Sequence, residues 1–521
     1  TAAVILPSTA SADRLPPPRE AVHAVAAELS RAVGGRLSFE EQDRLCYARD
    51  MWPRVLVLMR HGRIPPPPDA VAWPESEEEV AQLIRIARAH RIPIIPFGAG
   101  SGVCGGVCAV KGGIAVDLKK LERVERIDRE RRTVDAQAGV MGEVLERALN
   151  AQGFTLGHFP SSIYTSTLGG WLATRSAGQF SSRYGKIEDM VLSVRAVLGT
   201  GQAIATAERP RRGPDLAQLL VGSEGTLCTF TGATLRIHPV PEHRAFRGIR
   251  FGTVAEGVEA IRQIFRAGLR PAVVRLYDPF DTALVGRSKP HEDGAVPPSL
   301  RGALESDLLP ALSRRLTPRT LGHPWLLNRA AHLLRECLLV LVFEGETRRT
   351  TREEAAARPL WLRAGGEDLG EVPGRNWFEH RYAVSYKMSK VFDAGALVDT
   401  MEVAATWDRV LDVYERVRAA VGRLAFALCH FSHAYPEGCS LYFTFVASAP
   451  AQDEERRYDD LWRVALQAAV SAGATVSHHH GIGLLKSREL RAELGEGRRM
   501  LVALKQAFDP DGIMNPGKLT L

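Results

Sequence analysis

Apolar residues at helical spacing and short apolar runs alternate along the first part of the chain. Ser76, three glutamates and then apolar residues three and four positions apart predict a capped helix over 76–88. The apolar runs 91–95 and 113–118 predict two short strands on either side of a glycine-rich stretch. The same patterns predict a strand pair at 124–140, a helix at 141–152 and strands at 190–198 and 227–237. Helices and strands therefore share one α+β domain in this part of the chain.

The pattern changes near residue 240. Helices are predicted at 254–268 and 407–421, and strands at 272–277, 338–343 and 439–447. The Pro/Arg-rich stretch 287–335 is predicted to be a helical insertion. Elements in this order predict a second, antiparallel α+β domain.

The most informative stretch is the glycine-rich loop 96–106. Backbone N–H groups that no side chain covers are what a diphosphate needs. The letters Gly100-x-Gly102-x-x-Gly105 match the dinucleotide fingerprint, but that fingerprint lies between a strand and a helix. Here the loop lies between two predicted strands. It therefore indicates a flavin-binding α+β domain rather than a Rossmann fold.

A second tract of small residues covers 166–178. Small side chains let the backbone and hydroxyl groups approach a flat ring closely, although a tight loop packed on another loop has the same composition. Two such tracts, followed by similar residues at 185–190 and 222–226, favour a long cofactor with a diphosphate and a ribose.

Three consecutive histidines, His478, His479 and His480, precede Gly481-Ile-Gly483. On a strand, alternate side chains point to opposite faces, so His478 and His480 could share a face but all three could not bind one metal ion. A metal site, a structural cluster and a catalytic or substrate-binding pocket are the alternatives. We favour the pocket, because histidine transfers protons near neutral pH, and we expect no metal centre.

Four other residues are candidates for chemistry. Tyr442 lies in an alternating strand, where it is either a packing aromatic or a phenol that handles a proton. Arg275 is a charge in an apolar strand, which is costly unless it meets a ligand or a partner group. Tyr386 and Lys387 are further candidates for substrate binding.

Composition narrows the partners and the compartment. The 521 residues include 67 Lys or Arg and 60 Asp or Glu, a net charge of +7, and the two signs are interleaved. Because no basic stripe interleaved with aromatic residues is present, nucleic-acid binding is not expected. The seven cysteines form no C-x-x-C pair, which predicts a reducing, cytoplasmic location. No apolar run reaches the length of a membrane span.

Together these motifs resemble the vanillyl-alcohol oxidase/p-cresol methylhydroxylase (PCMH-type) superfamily of FAD flavoproteins. The resemblance covers about 68–240 and the C-terminal tail, and within the superfamily it is greatest to the alkylglycerone-phosphate synthase branch. The segments that carry it are 157–171, 184–189, 477–481 and 515–518.

The resemblance implies an α+β fold in two domains. A PCMH-type two-subdomain FAD-binding domain would cover 65–240, and an antiparallel α+β cap, or substrate, domain would cover 241–484 with the insertion 287–335. Residues 1–64 would be an N-terminal helical segment, and 485–521 a C-terminal helix and tail that returns to the FAD domain. The active site would lie between the two domains.

The resemblance also implies roles for particular residues. Tyr442, His478, His479 and His480 would face the flavin from the substrate side and are the predicted catalytic residues, whereas Arg275, Tyr386 and Lys387 are predicted to bind substrate from their sequence positions alone. FAD would bind non-covalently, because the loop 96–106 has no histidine to which a flavin could attach. The implied cofactor residues are Pro96, Gly98, Ala99, Gly100, Ser101, Gly102, Val103, Pro160, Thr167, Leu168, Gly170, Ala173, Thr174, Ile187, Glu188, Asp189, Glu224 and Asn515.

Three departures from related enzymes bear on the reaction. Pro160-Ser161 stands where the synthases usually have Pro-Asp. Tyr386-Lys387-Met388 stands where they usually supply an essential arginine, and lysine does not replace the two parallel hydrogen bonds of a guanidinium. Metal-dependent 2-hydroxy-acid dehydrogenases carry Gly-Asp-Gly-Asn-Leu-His and a glutamate before His-Gly-Ile-Gly. Here Glu437-Gly-Cys-Ser-Leu-Tyr442 stands in place of the first segment, and His479 stands in place of the glutamate. Because these metal ligands are missing, metal-assisted oxidation of lactate or glycolate is not expected.

These observations predict an FAD-dependent oxidoreductase, either an oxidase or a dehydrogenase. It would oxidise a hydroxy acid or a phenolic or carboxylic compound by hydride transfer to flavin N5, with oxidative decarboxylation of a β-hydroxy acid as a specific version. Electrons would pass to O2 or an electron carrier, and a homodimer is the suggested assembly. The alternative is alkylglycerone-phosphate synthase chemistry, an ether-lipid-forming transfer that uses FAD without net redox change.

Overall fold

The computed structural model describes residues 15–208, 213–286, 323–325, 328, 334–382, 392 and 396–521. The chain divides into two compact units. The described parts of Pro7–Pro241 and Val476–Leu521 form the first, here called the split unit. The described part of Glu242–Thr475 forms the second, here called the central unit.

Short helices and one long helix open the split unit. The long helix begins at Ser76, whose Oγ accepts the backbone N–H of Glu79 at 3.2 Å, so the predicted cap is confirmed. Its apolar face, which includes Val80, Leu83 and Ile84, is buried. The helices are α1 (Glu20–His23), α2 (Ala26–Ala32), α3 (Glu41–Cys46), α4 (Pro53–Arg60) and α5 (Glu77–Ala89).

A four-stranded sheet holds the two strands predicted beside the glycine loop. Its order is β1 (Leu37–Ser38), β2 (Ala70–Ala72), β4 (Ile114–Asp117) and β3 (Ile94–Phe97). β2, β4 and β3 are parallel, and β1 is antiparallel to β2. The loop therefore leaves the carboxyl end of β3 and crosses to its parallel neighbour, with no helix after it.

A five-stranded antiparallel sheet forms the other layer of the split unit. Its order is β5 (Val124–Asp128), β6 (Thr133–Gln137), β10 (Cys228–Arg236), β8 (Val191–Leu198) and β9 (Ala203–Ala205). β7 (Phe154–Thr155) and β11 (His238–Pro239) form a separate pair. The helices of this part are α6 (Gly142–Asn150), α7 (Leu168–Thr174), α8 (Ser181–Tyr184), α9 (Ile187–Met190) and α10 (Leu216–Leu220). Val134, Leu168 and Trp171 belong to the core between the sheet and these helices.

The central unit is built on a seven-stranded antiparallel sheet. Its order is β15 (Glu367–Asp368), β12 (His243–Phe251), β14 (Cys337–Gly345), β13 (Val273–Tyr277), β17 (Phe426–Ser432), β18 (Gly438–Ala447) and β16 (Leu397–Thr406). Its helices are α11 (Val254–Arg266), α12 (Pro279–Gly286), α13 (Thr347–Arg363), α14 (Val372–His380), α15 (Val410–Val421) and α16 (Glu454–Ser471). Residues 287–322, most of the predicted helical insertion, lie outside the described residues.

The chain returns to the split unit at Val476, and this last part contains α17 (Ser487–Leu494) and α18 (Gly497–Phe508). The tail then forms a parallel bridge between Met514 and Ile94 of β3. Helix and strand content confirms the α+β prediction. Within the described ranges, no helix combines the length and apolarity that crossing a membrane requires.

Candidate flavin and substrate site

The glycine loop contains consecutive backbone N–H groups that have no hydrogen-bond acceptor among the described residues. None of the N–H groups of residues 98–103 donates a hydrogen bond to a described residue. All six residues except the exposed Gly102 are half-buried, where N–H groups are usually paired, so the run is suited to a bound acceptor. Successive backbone amides in a tight loop can form an anion-binding concavity.

Steric limits explain why glycine is needed in this loop. A Cβ at Gly98 would lie 2.5 Å from Oγ1 of Thr167. Gly100 has φ +67° and its Cβ would lie 2.8 Å from Cζ of Phe97. Gly98 and Thr167, two predicted cofactor residues from the two small-residue tracts, therefore lie side by side.

Asp50 holds the second half of the loop. Its carboxylate accepts the N–H groups of Gly105 at 2.9 Å and Gly106 at 3.1 Å, and that of Trp52 at 3.1 Å. Burial raises the pKa of this carboxyl to about 6. Sequence reasoning missed Asp50, because its role depends on contacts with residues more than fifty positions away. The only local signal is its position just before the helix that begins at Pro53, where an aspartate often accepts backbone N–H groups.

The other predicted cofactor residues gather around the same loop. Thr167 caps α7 through Gly170 N–H at 3.3 Å, and α7 carries Leu168, Gly170, Ala173 and Thr174. Phe159, which precedes Pro160 in the chain, lies close to the end of this tract, since a Cβ at Gly178 would lie 2.4 Å from its nitrogen. Pro96 is the near neighbour of Gly225.

The carboxylates of α9 are engaged with protein groups. Asp189 accepts the N–H of Lys186 at 2.9 Å, and Glu188 pairs with Lys186 at 2.6 Å. Ile187 joins the second tract through its N–H to the carbonyl of Ser176 at 3.1 Å. Ile187 thus ties α9 to the small-residue tract, while the two carboxylates hold Lys186.

Glu224 and Asn515 bind the parts of the split unit together. Asn515 donates from Nδ2 to the carbonyls of Gly106 at 2.9 Å and Glu224 at 2.7 Å. The buried Glu224 carboxylate accepts the backbone N–H groups of Ile482 and Gly483. Burial raises the pKa of Glu224, and those two N–H groups oppose the rise.

The histidines lie in a bent segment rather than the strand considered from the sequence. Gly481 has φ +81° and Gly483 φ +52°, values that favour glycine and turn the chain. His478 and His479 face each other, with their Nδ1 atoms 3.0 Å apart. Lys186 donates to the carbonyl of His478 at 3.4 Å. The segment is therefore fixed by residues of the predicted cofactor loops.

In the central unit, Arg275 and Tyr442 belong to one cluster. His430 lies opposite Tyr442 in the register of β17 and β18, and their rings stack at 4.7 Å with planes 15° apart. Arg275 donates to Nδ1 of His430 at 3.3 Å. Tyr442 donates to Oγ1 of Thr400 at 3.0 Å. Sequence reasoning considered His430 only as a further ligand for a metal site beside the three histidines, because the register of distant strands cannot be read from one segment.

Arg275 has no acidic partner within ion-pair distance among the described residues, and its Nε has no hydrogen-bond acceptor there. Nδ1 of His430 also lies 3.4 Å from Oδ2 of Asp281, so the imidazole stands between the guanidinium and a carboxylate. Burial, and then the charge of Arg275, hold the pKa of His430 well below its usual value, so this imidazole is neutral. Burial also raises the pKa of Tyr442, which keeps its phenol protonated. Tyr386 and Lys387 lie outside the described residues.

The donor run of the glycine loop fits a diphosphate, and the small residues beside it leave room for a flat cofactor. Fold and loop together define a two-domain FAD protein. Residues 68–207 match the model of an FAD binding domain, and residues 240–519 match that of the FAD linked oxidases, C-terminal domain. The chain belongs to the FAD-linked oxidase family.

The relatives of this chain include a synthase and a glycolate oxidase subunit. Alkyldihydroxyacetonephosphate synthase of Dictyostelium discoideum is 30% identical over 478 residues, 89% of this chain and 75% of the relative. Glycolate oxidase subunit GlcD of Bacillus subtilis is 27% identical over 497 residues, 94% of this chain and 95% of the relative.

Solved structures place the chain in the PCMH-type fold. An alkyldihydroxyacetonephosphate synthase structure superposes with a TM-score of 0.78 at 27% identity, covering 98% of this chain and 89% of that one. A p-cresol methylhydroxylase superposes with a TM-score of 0.70 at 14% identity, covering 97% and 98%. The predicted superfamily and fold class are confirmed.

Proposed function

We propose that the protein is an FAD-dependent oxidoreductase that oxidises a small organic anion carrying a hydroxyl group. The observation that carries this proposal is Arg275, a half-buried guanidinium that has no described carboxylate partner. Withdrawing a charge from water is costly unless an opposite charge meets it. A substrate carboxylate would supply that charge and would accept two parallel hydrogen bonds from the guanidinium.

The neighbours of Arg275 fit the recognition of such a substrate. The neutral imidazole of His430 adds no second positive charge, and the protonated phenol of Tyr442, which donates to Thr400, adds no negative charge, so the guanidinium is the charge that a substrate carboxylate would meet. We assign the removal of the hydroxyl proton to one of His478, His479 and His480. FAD, when bound, supplies the two-electron acceptor of the oxidation.

The cofactor would be held by the glycine loop, Thr167 and the small residues of α7. The absence of a histidine from the loop 96–106 supports non-covalent binding. Acid precipitation of the holoprotein should release the flavin into the supernatant. Flavin that stays with the precipitated chain would contradict this part of the proposal.

Met388 favours oxidation over ether-lipid synthesis, because the resemblance places it where the synthases use an arginine. The specific observation that favours synthase chemistry is the identity of 30% to a curated synthase across 89% of this chain. A phosphate ester would also satisfy Arg275. The two functions therefore share an anionic substrate and differ in the net reaction.

Anaerobic reduction of the bound flavin separates them. The panel consists of 2-hydroxy acids, 3-hydroxy acids, phenols and acyl-dihydroxyacetone phosphate. A hydroxy acid that bleaches the oxidised flavin supports the oxidoreductase, and a keto acid that then loses CO2 would identify oxidative decarboxylation. Exchange of the acyl chain for a long-chain alcohol, with the flavin oxidised at the end, would replace this proposal with the synthase.

Arg275 itself supplies the decisive variant. Arg275→Met should lower kcat/KM by about 10- to 100-fold, the value of a charge-assisted hydrogen bond to substrate. Arg244→Met is the matched control, because Arg244 lies in the same sheet but is paired with Glu344 at 2.7 Å. Equal activities of the two variants would remove Arg275 from the substrate site.

A further inference from the structure

A cavity of about 500 Å³ lies against the glycine loop within the split unit. Ala99 and Gly100 of the loop line it, and their N–H groups belong to the run without described partners. Tyr47 and Phe97 supply aromatic walls, with ring centroids 4.6 Å apart. The cavity is therefore lined both by backbone N–H groups without a described acceptor and by aromatic rings.

Lys119 and Arg49 make this cavity positive. Nζ of Lys119 lies 2.5 Å from Oδ2 of Asp117 and 3.1 Å from the carbonyl oxygen of Gly98, which leaves one of its three N–H groups without a described acceptor. Arg49 donates only to the carbonyl of Asp50, at 3.2 Å, and no described carboxylate pairs with it.

No acid on the cavity wall neutralises the two cations fully. Asp50 lines the cavity, but its carboxylate already accepts three backbone N–H groups, including those of Gly105 and Gly106. Asp117 accepts from Lys119 and also from the hydroxyl of Tyr47. An unpaired guanidinium and a free ammonium N–H thus remain beside the loop.

We propose that Arg49 and Lys119 bind the diphosphate of FAD together with the N–H groups of Ala99 and Gly100. The proposal rests on the FAD binding of the proposed function and adds two cations from outside the glycine loop. A diphosphate carries negative charge on several oxygens, and a guanidinium, an ammonium and backbone amides are the groups that recognise it. Lys119 would also hold the carbonyl of Gly98 so that the loop amides stay available.

Ligand affinities of the apoprotein test this assignment. Binding of FAD, ADP and riboflavin is measured for the wild type, Arg49→Met, Lys119→Met and Lys120→Met. The last variant is a matched control, because Lys120 is the next residue and pairs with Glu75 at 2.9 Å on the surface. Arg49→Met and Lys119→Met should each weaken FAD and ADP by about 10- to 100-fold, and Lys120→Met should weaken neither. Riboflavin, which has no phosphate, should bind all four proteins alike.

Other outcomes overturn the proposal. Unchanged FAD affinity in both variants would show that the cations do not face the diphosphate. An equal loss of riboflavin and FAD would indicate a general distortion of the unit. Binding of ADP to the holoprotein with FAD in place would assign the cavity to a separate nucleotide. If Lys119→Met fails to fold, Arg49→Met and Lys119→Arg carry the test, and Lys119→Arg should retain FAD.

This test is independent of the substrate. A wild-type protein that binds FAD through these cations, but whose flavin no member of the substrate panel reduces, would contradict the oxidoreductase proposal alone.

Discussion

The Glu224 carboxylate accepts the backbone N–H of Gly483 at 2.8 Å, and its other oxygen accepts that of Ile482. Glu224, which lies in the turn after α10, thereby holds the turn at 482–483 that follows the three histidines. The position of Gly481 is equally restricted, because a Cβ there would lie 2.8 Å from Oε1 of Glu224. We infer that Glu224 positions the histidine segment.

Glu224→Gln should disturb the histidine segment while FAD remains bound. An amide accepts at one oxygen and presents donors to the second N–H, so one hydrogen bond is lost at a cost of about 1.5–3 kcal/mol. Nitrogen-15 NMR of the histidines in the holoprotein should show shifted pKa values for residues 478–480. Gly481→Ala should shift them too, because it disturbs the same contact from the other side.

A matched control for Glu224 is Glu146→Gln. Glu146 also holds backbone, accepting the N–H of Leu156 at 3.0 Å, but it lies on α6. The Glu146→Gln substitution should leave the NMR signals of the histidines unchanged. Loss of FAD from Glu224→Gln with unchanged histidine signals would make Glu224 a cofactor residue instead.

Gly98→Ala should lower the affinity for FAD by about tenfold. Its new Cβ would lie 2.5 Å from Oγ1 of Thr167, and Thr167 cannot turn away without losing its cap on α7. Gly106→Ala is the control, since nothing lies within 4 Å of a Cβ at that position. Fluorescence titration of the apoprotein measures both, and equal affinities would show that the loop tolerates a side chain at 98.

His158→Leu should make the protein less sensitive to acid. His158 is 1% exposed, neither ring nitrogen has a described hydrogen-bond partner, and burial lowers its pKa to about 3. Between about 3 and 6.5 the unfolded chain binds a proton that the folded chain does not, so stability falls as the pH drops below 6.5. The difference amounts to about 2 kcal/mol at pH 5. Chemical unfolding at pH 7 and pH 5 should show it.

The change in stability between pH 7 and pH 5 must be compared between the wild type and proteins that carry a single substitution. Burial raises the pKa of Asp50 and of Asp278 to about 6, which makes stability fall as the pH rises through that value. The two aspartates and His158 therefore have opposite effects on how the stability of the whole protein depends on pH. Replacement of the exposed His90 by Leu should not change the acid sensitivity, and an equal effect of both replacements would contradict the assignment to His158.

Met388→Arg distinguishes the two candidate reactions. If the protein is an oxidoreductase, the arginine should create no exchange of acyl chains for alcohols, and oxidation of the hydroxy acid should persist or fall. Product analysis by mass spectrometry measures both activities. The appearance of an ether lipid would show that a single missing guanidinium separates this chain from the synthases.

The sequence predicted those parts of the fold that local patterns determine. The Ser76 cap, the strands beside the glycine loop and the small-residue tract all follow from residues close in the chain. Long-range partners were not predictable. His430 meets Arg275 across strand register, and Asp50 meets Gly105 across a loop, so neither contact leaves a periodic signal. The bend at the histidines was not predicted, because it depends on the positive φ of Gly481 and Gly483, which a strand pattern does not reveal.

Asn515 joins the carbonyls of Gly106 and Glu224, yet it is synthesised long after both. Residues 242–475 emerge from the ribosome in between and contain every strand of their own sheet. We therefore expect the central unit to fold co-translationally while the split unit waits for its tail. Flavin uptake by stalled nascent chains should begin only once residue 515 has cleared the exit tunnel, which makes cofactor loading the last step in the maturation of the enzyme.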